Sequence, residues 1–411
     1  MVSDLKSRIG LALAGGGPLG AVYELGALSA LAEALEGVDL NALDVYVGVS
    51  AGGFIAAGLA NGVPPRKLAA MFVESETSDE PLSPSMLLKP AFREYAQRAA
   101  SVPPLLLNSI WHYLSNPLSA NFFESFQRLS RAIPTGVFNN AGIDQYLTRL
   151  FSAPGRTNDF RELQHKLFLI ATDLDTGESV AFGAPAYDHV PISSAVQASA
   201  ALPGLFPPVE IEGRYYVDGA LKKTLHASVA LDYGAKLLLC VNPLVPFDSQ
   251  LAARRGSPRD RKLIEGGLPV VLAQTFRAII HSRMQVGMSK YESQYRDADV
   301  VLFEPNRDDA DMFFTNMFSY SSRRRLSEHA YQKTRQELLR RYDELQPVLE
   351  RHGVSIRLEV LRDPNRRLLG VSRRRRRPAS QAMDTTRELA TTLSDLEAAI
   401  DKRLRRIERA A

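Results

Sequence analysis

The chain has 411 residues, with 50 Lys+Arg against 46 Asp+Glu, 45% hydrophobic and 23% charged, a globular balance that excludes wholesale disorder. Its one cysteine, Cys240, excludes an intramolecular disulfide framework and a Cys-based zinc site, and suits a reducing compartment. The net charge of +4 is unevenly placed: residues 362–411 carry 14 Lys/Arg and 7 Asp/Glu, leaving residues 1–361 slightly acidic.

In chain order, Lys6 and Arg8 precede a short apolar run, 9–14, that glycines interrupt at once. That is too short for a secretory signal, and no stretch reaches the ~18 consecutive apolar residues of a membrane-spanning helix. A cytoplasmic protein, soluble or peripheral at the inner face of the membrane, is the expectation. Residues 9–14 read as a buried strand. Residues 18–36 read as a helix, with Val22, Leu25, Leu28, Ala32 and Leu35 at helical spacing. A second strand is predicted at 44–49 and a second helix at 51–60. Later strands are predicted at 167–172, 179–182, 214–217, 236–241 and 300–303, and long helices at 268–291 and 322–351. Asp175-Thr176-Gly177 and Glu212-Gly213 mark tight turns. The alternation predicts an α/β fold: a mixed, mostly parallel sheet with helices on both faces.

Two segments break this pattern. Residues 81–135 are interrupted by seven prolines and hold the apolar clusters Leu105-Leu106-Leu107, Ile110-Trp111 and Phe122-Phe123 with Phe126. They read as a helical insertion packed on the core, or as a cap or lipid-touching surface. From Asp363 the chain turns basic, with seven arginines between Arg366 and Arg377. Leu389, Leu393, Leu396, Ile400, Leu404 and Ile407 then form the stripe of an amphipathic helix. Self-docking, a homo-oligomeric coiled-coil seam, or attachment to an anionic membrane surface are its readings. Nucleic-acid binding is not expected.

Gly48-Val49-Ser50-Ala51-Gly52 fits G-x-S-x-G between a predicted strand and a predicted helix. In that context the turn lifts the serine hydroxyl off the sheet, and Gly48 and Gly52 keep the tight turn free of side chains. Gly15-Gly16-Gly17-Pro18-Leu19-Gly20 follows the first strand and opens the first helix. Bare amides at a helix N-terminus suit an oxyanion hole, to which the Ala51 amide could add. The same string matches a dinucleotide fingerprint, but the next strand ends in Gly48-Val49-Ser50 and offers no ribose-binding acid. None of the seven histidines sits in an evident motif. Asp218, in Tyr216-Val217-Asp218-Gly219-Ala220, puts a carboxylate at a strand tip. The acids Asp308, Asp309 and Asp311 lack calcium-loop spacing and read as a solvated loop. The aromatic stretch 311–320 reads as packing, or as the lining of an acyl groove.

These motifs, together with Ala171–Gly177 and the Ala198–Val209 passage, resemble the patatin-like phospholipase family in kind and order over roughly residues 8–245. The resemblance implies a three-layer α/β/α sandwich and an acyl hydrolase acting on phospholipids or related lipids through an acyl-serine. It implies Ser50 as nucleophile, Asp218 as its base in a Ser-Asp dyad, and an oxyanion hole at Gly15, Gly16 and Gly17, with no metal or cofactor. Two departures stand out: Leu19 where the family often has Arg or Lys, and Asp218-Gly219-Ala220 for Asp-Gly-Gly. The implied organisation is an acyl-hydrolase domain over 8–305, a helical extension over 306–362, and the Arg-rich linker with its helix over 363–411. Competing readings are a Ser-His-Asp esterase or acyltransferase with His226 as base, an NAD(P)-binding oxidoreductase, and a non-catalytic membrane-associated scaffold.

Overall fold

The structure, a computed structural model, describes residues 7–73, 82, 135–255, 263–314 and 320–369. Nearly all of the proline-broken segment 81–135, and the Arg-rich tail from residue 370, lie outside the described residues. Among the described residues no helix is long and apolar enough to cross a membrane.

The first strand, β1 (Ile9–Leu13), is wholly buried and feeds α1 (Gly17–Ala34). Sequence periodicity carries that helix to residue 36, but it stops at Ala34. Leu35 turns extended, and Leu35–Glu36 (β2) pairs antiparallel with Ser355–Ile356. A backbone ladder closed 320 residues away overrides the local helical pattern. Next come β3 (Val45–Val49), α2 (Ala51–Ala60) and α3 (Pro65–Val73), then α4 (Ala141–Phe151), β4 (Lys166–Asp173) and β5 (Ser179–Phe182). The chain continues through α5 (Ile192–Ser199), β6 (Val209–Ile211), β7 (Arg214–Asp218), α6 (Ala227–Asp232), β8 (Leu237–Val241) and α7 (Ser249–Arg254). It closes with α8 (Gly267–Gln294), β9 (Asp299–Phe303), α9 (Ala310–Phe314), α10 (Tyr320–Arg340), α11 (Tyr342–Glu350), β10 (Ser355–Ile356) and α12 (Leu358–Arg362).

Strands β4, β3, β1, β8 and β9 pair in parallel, and β5, β6 and β7 add antiparallel neighbours. The period-2 alternation sends Ala12, Val45, Val47, Val49, Phe168, Ile170, Leu238 and Cys240 to one face, where α6 and α8 cover them. On the other face α2 packs against β3, with α1 beside it and α3 and α10 closing around α1. The fold is the expected α/β/α sandwich with a mostly parallel sheet and a helical C-terminal region.

The pairing around β4 positions the site. Both β3 and β5 pair with Leu169 and Ile170, and both β5 and β7 pair with Ala171 and Thr172. A strand has two edges, so β5 takes one, and β3 and β7 share the other end to end. Val49 ends β3 opposite Ile170, while Asp218 ends β7 opposite Ala171. Two strands 170 residues apart therefore meet tip to tip on adjacent residues of β4.

Two further expectations need correcting. The long helix expected over 322–351 breaks at Arg341, whose guanidinium bonds the Leu302 carbonyl and pairs with Glu337 and Glu344. The acids near residue 310 are not a solvated loop: Asp308 pairs with Arg255 at 2.7 Å, and Asp309 with His329 at 2.6 Å. In the adjoining aromatic stretch, the Phe313 ring lies 5.0 Å from that of Phe247.

Candidate active site

Ser50 stands between β3 and α2 at φ 54, ψ −121, a region that costs a non-glycine residue roughly 1–3 kcal/mol. The surroundings enforce it. A Cβ on Gly48 would lie 2.5 Å from Gly53 Cα, and one on Gly52 would lie 2.4 Å from the Ala14 carbonyl oxygen. The Gly52 amide donates to that same carbonyl at 3.1 Å. The Ser50 amide donates to Ser199 Oγ at 2.8 Å, and Ser199 Oγ donates in turn to the Ile170 carbonyl at 2.5 Å. Ser199 thus ties the strained turn to the β4 residue that aligns β3. Sequence reasoning missed this role, since a serine at the end of an ordinary helix carries no signal of it.

Asp218 is 3% exposed. Its carboxylate accepts the Ala220 amide at 2.8 Å, and its own amide donates to the Ala201 carbonyl. Burial raises its pKa to about 6, and the Ala220 amide and the neighbouring Ser50 side chain partly oppose that rise. The Asp-Gly turn needs its glycine, because a Cβ on Gly219 would sit 2.3 Å from the Ile170 carbonyl oxygen.

Gly15 lies against the pair: a Cβ there would be 3.1 Å from Ser50 Cβ and 3.4 Å from Ala220 Cβ. Gly17 begins α1 at φ 58, a left-handed conformation that favours glycine. Among the described residues, the amides of Gly15, Gly16, Gly17 and Ala51 donate to no backbone acceptor. The N-termini of α1 and α2 both open at this place, so their positive ends converge beside the Ser50 hydroxyl.

These groups line a cavity of about 270 Å³ whose wall is otherwise almost wholly apolar, with Phe54, Phe72, Ile143, Val196, Leu202 and Phe206 among its members. Asp218 is the one carboxylate among its lining residues, and Arg277 and Arg323 are its two guanidinium groups. No described histidine lines it. His226, the alternative base, is buried and uses Nε2–H on the Gly219 carbonyl at 3.2 Å. Burial pulls its pKa down to about 4, so it braces the Asp-Gly turn as a neutral ring. His189, His329 and His352 pair with Glu212, Asp309 and Asp299.

The arrangement can deprotonate a serine and hold a developing oxyanion next to an apolar chamber. A sequence model of the patatin-like phospholipases matches residues 11–231. The solved structures that match are remote in sequence. VipD from Legionella pneumophila is 15% identical with a TM-score of 0.35, the match covering 80% of this chain and 66% of that one. The type III effector ExoU is 18% identical at 0.35, with 82% and 53% covered. Full-length ExoU in complex with full-length SpcU, from the type III secretion system of Pseudomonas aeruginosa, is 18% identical at 0.27, with 69% and 52% covered. The chain spans about two thirds of VipD and about half of ExoU.

Proposed function

The chain belongs to the patatin-like phospholipase family, and from that premise we propose that it hydrolyses acyl esters of lipids through a Ser50–Asp218 dyad. The observation that carries the reading is that Ser50 and the buried Asp218 carboxylate, whose charged form the Ser50 side chain favours, share the lining of one apolar cavity. As Ser50 Oγ attacks the ester carbonyl, Asp218 takes its proton. The carbonyl oxygen becomes an oxyanion, which the Gly15, Gly16, Gly17 and Ala51 amides stabilise without moving. Collapse expels the alcohol or lysolipid, which takes the proton back from Asp218, and leaves an acyl-serine. Water, activated by the same carboxylate, then releases the fatty acid and restores the serine. A carboxylate with a pKa of about 6 is a stronger base than an exposed aspartate and is still largely ionised at neutral pH. The apolar wall suits an acyl chain and excludes water from the charged steps.

A fluorophosphonate probe should label the wild type and leave Ser50→Ala unlabelled, and Asp218→Asn should lower turnover of acyl esters roughly a thousandfold. Undiminished turnover in both variants overturns the dyad. A histidine base draws no support, because the one buried near Asp218 is engaged with Gly219.

A further inference from the structure

Arg277 is one of two charged groups of this cavity for which the dyad has no use. It lies on α8, facing the cavity together with Ala273, Phe276 and Ile280. One turn earlier, Gln274 fastens the helix to the loop after β8: its Nε2 donates to the Phe247 carbonyl at 2.8 Å, and its Oε1 accepts the Phe247 amide at 3.2 Å. The Arg277 guanidinium carbon lies 4.5 Å from the centroid of the Phe313 ring. Stacking occupies a face of the guanidinium and leaves its in-plane N–H donors for an acceptor.

Among the described residues none supplies that acceptor. No carboxylate, carbonyl or hydroxyl pairs with Arg277, and burial alone pulls its pKa down to about 10. Elsewhere the protein satisfies such groups. Arg335 donates to the carbonyls of Val360, Leu361 and Asp363, and Arg341 pairs with two glutamates. A partly desolvated cation without an anion is costly, and a matching anion lowers that cost. Arg323, on α10, adds a second positive side chain to the lining of the cavity.

We propose that Arg277 selects the substrate of this cavity by binding the phosphodiester oxygens of a phospholipid or lysophospholipid whose acyl chain fills the apolar wall. The inference rests on the reading of the cavity as an acyl-ester hydrolase site. The scissile carbonyl is fixed at Ser50, so a second anion site in the same chamber must take a group across the ester from the acyl chain. In an acyl lipid that group is the glycerol phosphate; a fatty acid brings its only charge to Ser50 itself.

Binding to full-length Ser50→Ala tests this without turnover, using three ligands of one chain length below their micellar concentrations: an ether lysophosphatidylcholine, the matching alkylglycerol and the matching fatty acid. The lysophospholipid should bind at least tenfold more tightly than the alkylglycerol. Adding Arg277→Gln should abolish that preference, and Arg277→Lys should keep part of it, with thermal melts showing both variants folded. A preference that survives Arg277→Gln, or that is absent in Ser50→Ala, overturns the proposal. So does a fatty acid that gains as much from Arg277 as the lysophospholipid. Failure of the hydrolase reading looks different: the wild type then turns over no ester in a Ser50-dependent way, whatever the binding preferences.

Discussion

The two walls of the cavity are built on opposite principles. On the wall made by the tips of β1, β3 and β7, backbone touches backbone, and the polar side chains are held by several elements at once. The Ser50 amide is bonded to Ser199, Ser199 to Ile170, and Asp218 to Ala220 and Ala201. The wall made by α8 is lined by Ala273, Phe276 and Ile280 and carries an arginine with no anion among the described residues. A preorganised wall suits chemistry, where misplacement by about 1 Å costs roughly a hundredfold in rate. A looser, apolar wall suits the binding of a flexible chain.

The largest expected difference between the walls comes from adding one methyl group. Gly52→Ala puts a Cβ 2.4 Å from the Ala14 carbonyl oxygen and 2.7 Å from Leu13. Backbone has to move, at a cost of roughly 1–3 kcal/mol or more, and β1 and α2 part where Ser50 and the glycine loop must stay in register. Activity should fall at least a hundredfold and the melting temperature should drop. On the other wall, Ala273→Ser, at an exposed cavity-lining position of α8, should change stability by no more than about 0.5 kcal/mol. Equal losses from the two variants would mean that both walls are rigid.

The legibility of the sequence follows the same division. Ser50 and the glycine loop could be read because the tight turn restricts residue types over a few consecutive positions. Asp218 gave a fainter signal, since Asp-Gly turns are common, and the order of the separated motifs, rather than its own turn, raised it. That β3 and β7 meet on β4 was not legible, because pairing across 170 residues leaves no local pattern. Ser199 and Arg277 were invisible for a related reason: each looks like an ordinary helix residue until the fold sets it against the site. The same limit misplaced the end of α1 and hid the break at Arg341.

A middle-sized effect tests whether the rigid wall bears a charge it would be more stable without. Asp218 has a folded pKa of about 6, against roughly 3.9 in an unfolded chain. A raised carboxyl pKa means the folded state holds its proton more tightly. The stability tied to protonated Asp218 is therefore present below about pH 4 and lost as pH rises towards 6. Above that the ionised group costs roughly 3 kcal/mol. Asp218→Asn removes the charge, so the inactive variant should melt a few degrees above the wild type at pH 8, with the gap closing near pH 4. In the wild type, kcat/KM should rise with pH through about 6 and then level off, because the base must be ionised. An Asn variant that melts lower at pH 8 would mean that Asp218 is stabilised by its surroundings.

The smallest effect separates a brace from a base on that wall. His226 adopts a left-handed backbone at φ 46, which asparagine tolerates better than most residues. His226→Asn should therefore keep the turn while losing reach to the Gly219 carbonyl, which His226 Nε2 contacts at 3.2 Å. If the ring only braces Gly219, turnover should fall a few-fold, and the rise in kcat/KM near pH 6 should remain, because Asp218 produces it. If the ring were the general base, the same substitution should lower turnover roughly a thousandfold and erase the rise. Since burial holds His226 neutral down to about pH 4, its own titration lies below the pH range in which Asp218 switches on. The pH profile of this one variant assigns the proton acceptor even if the loss in rate falls between the two expectations.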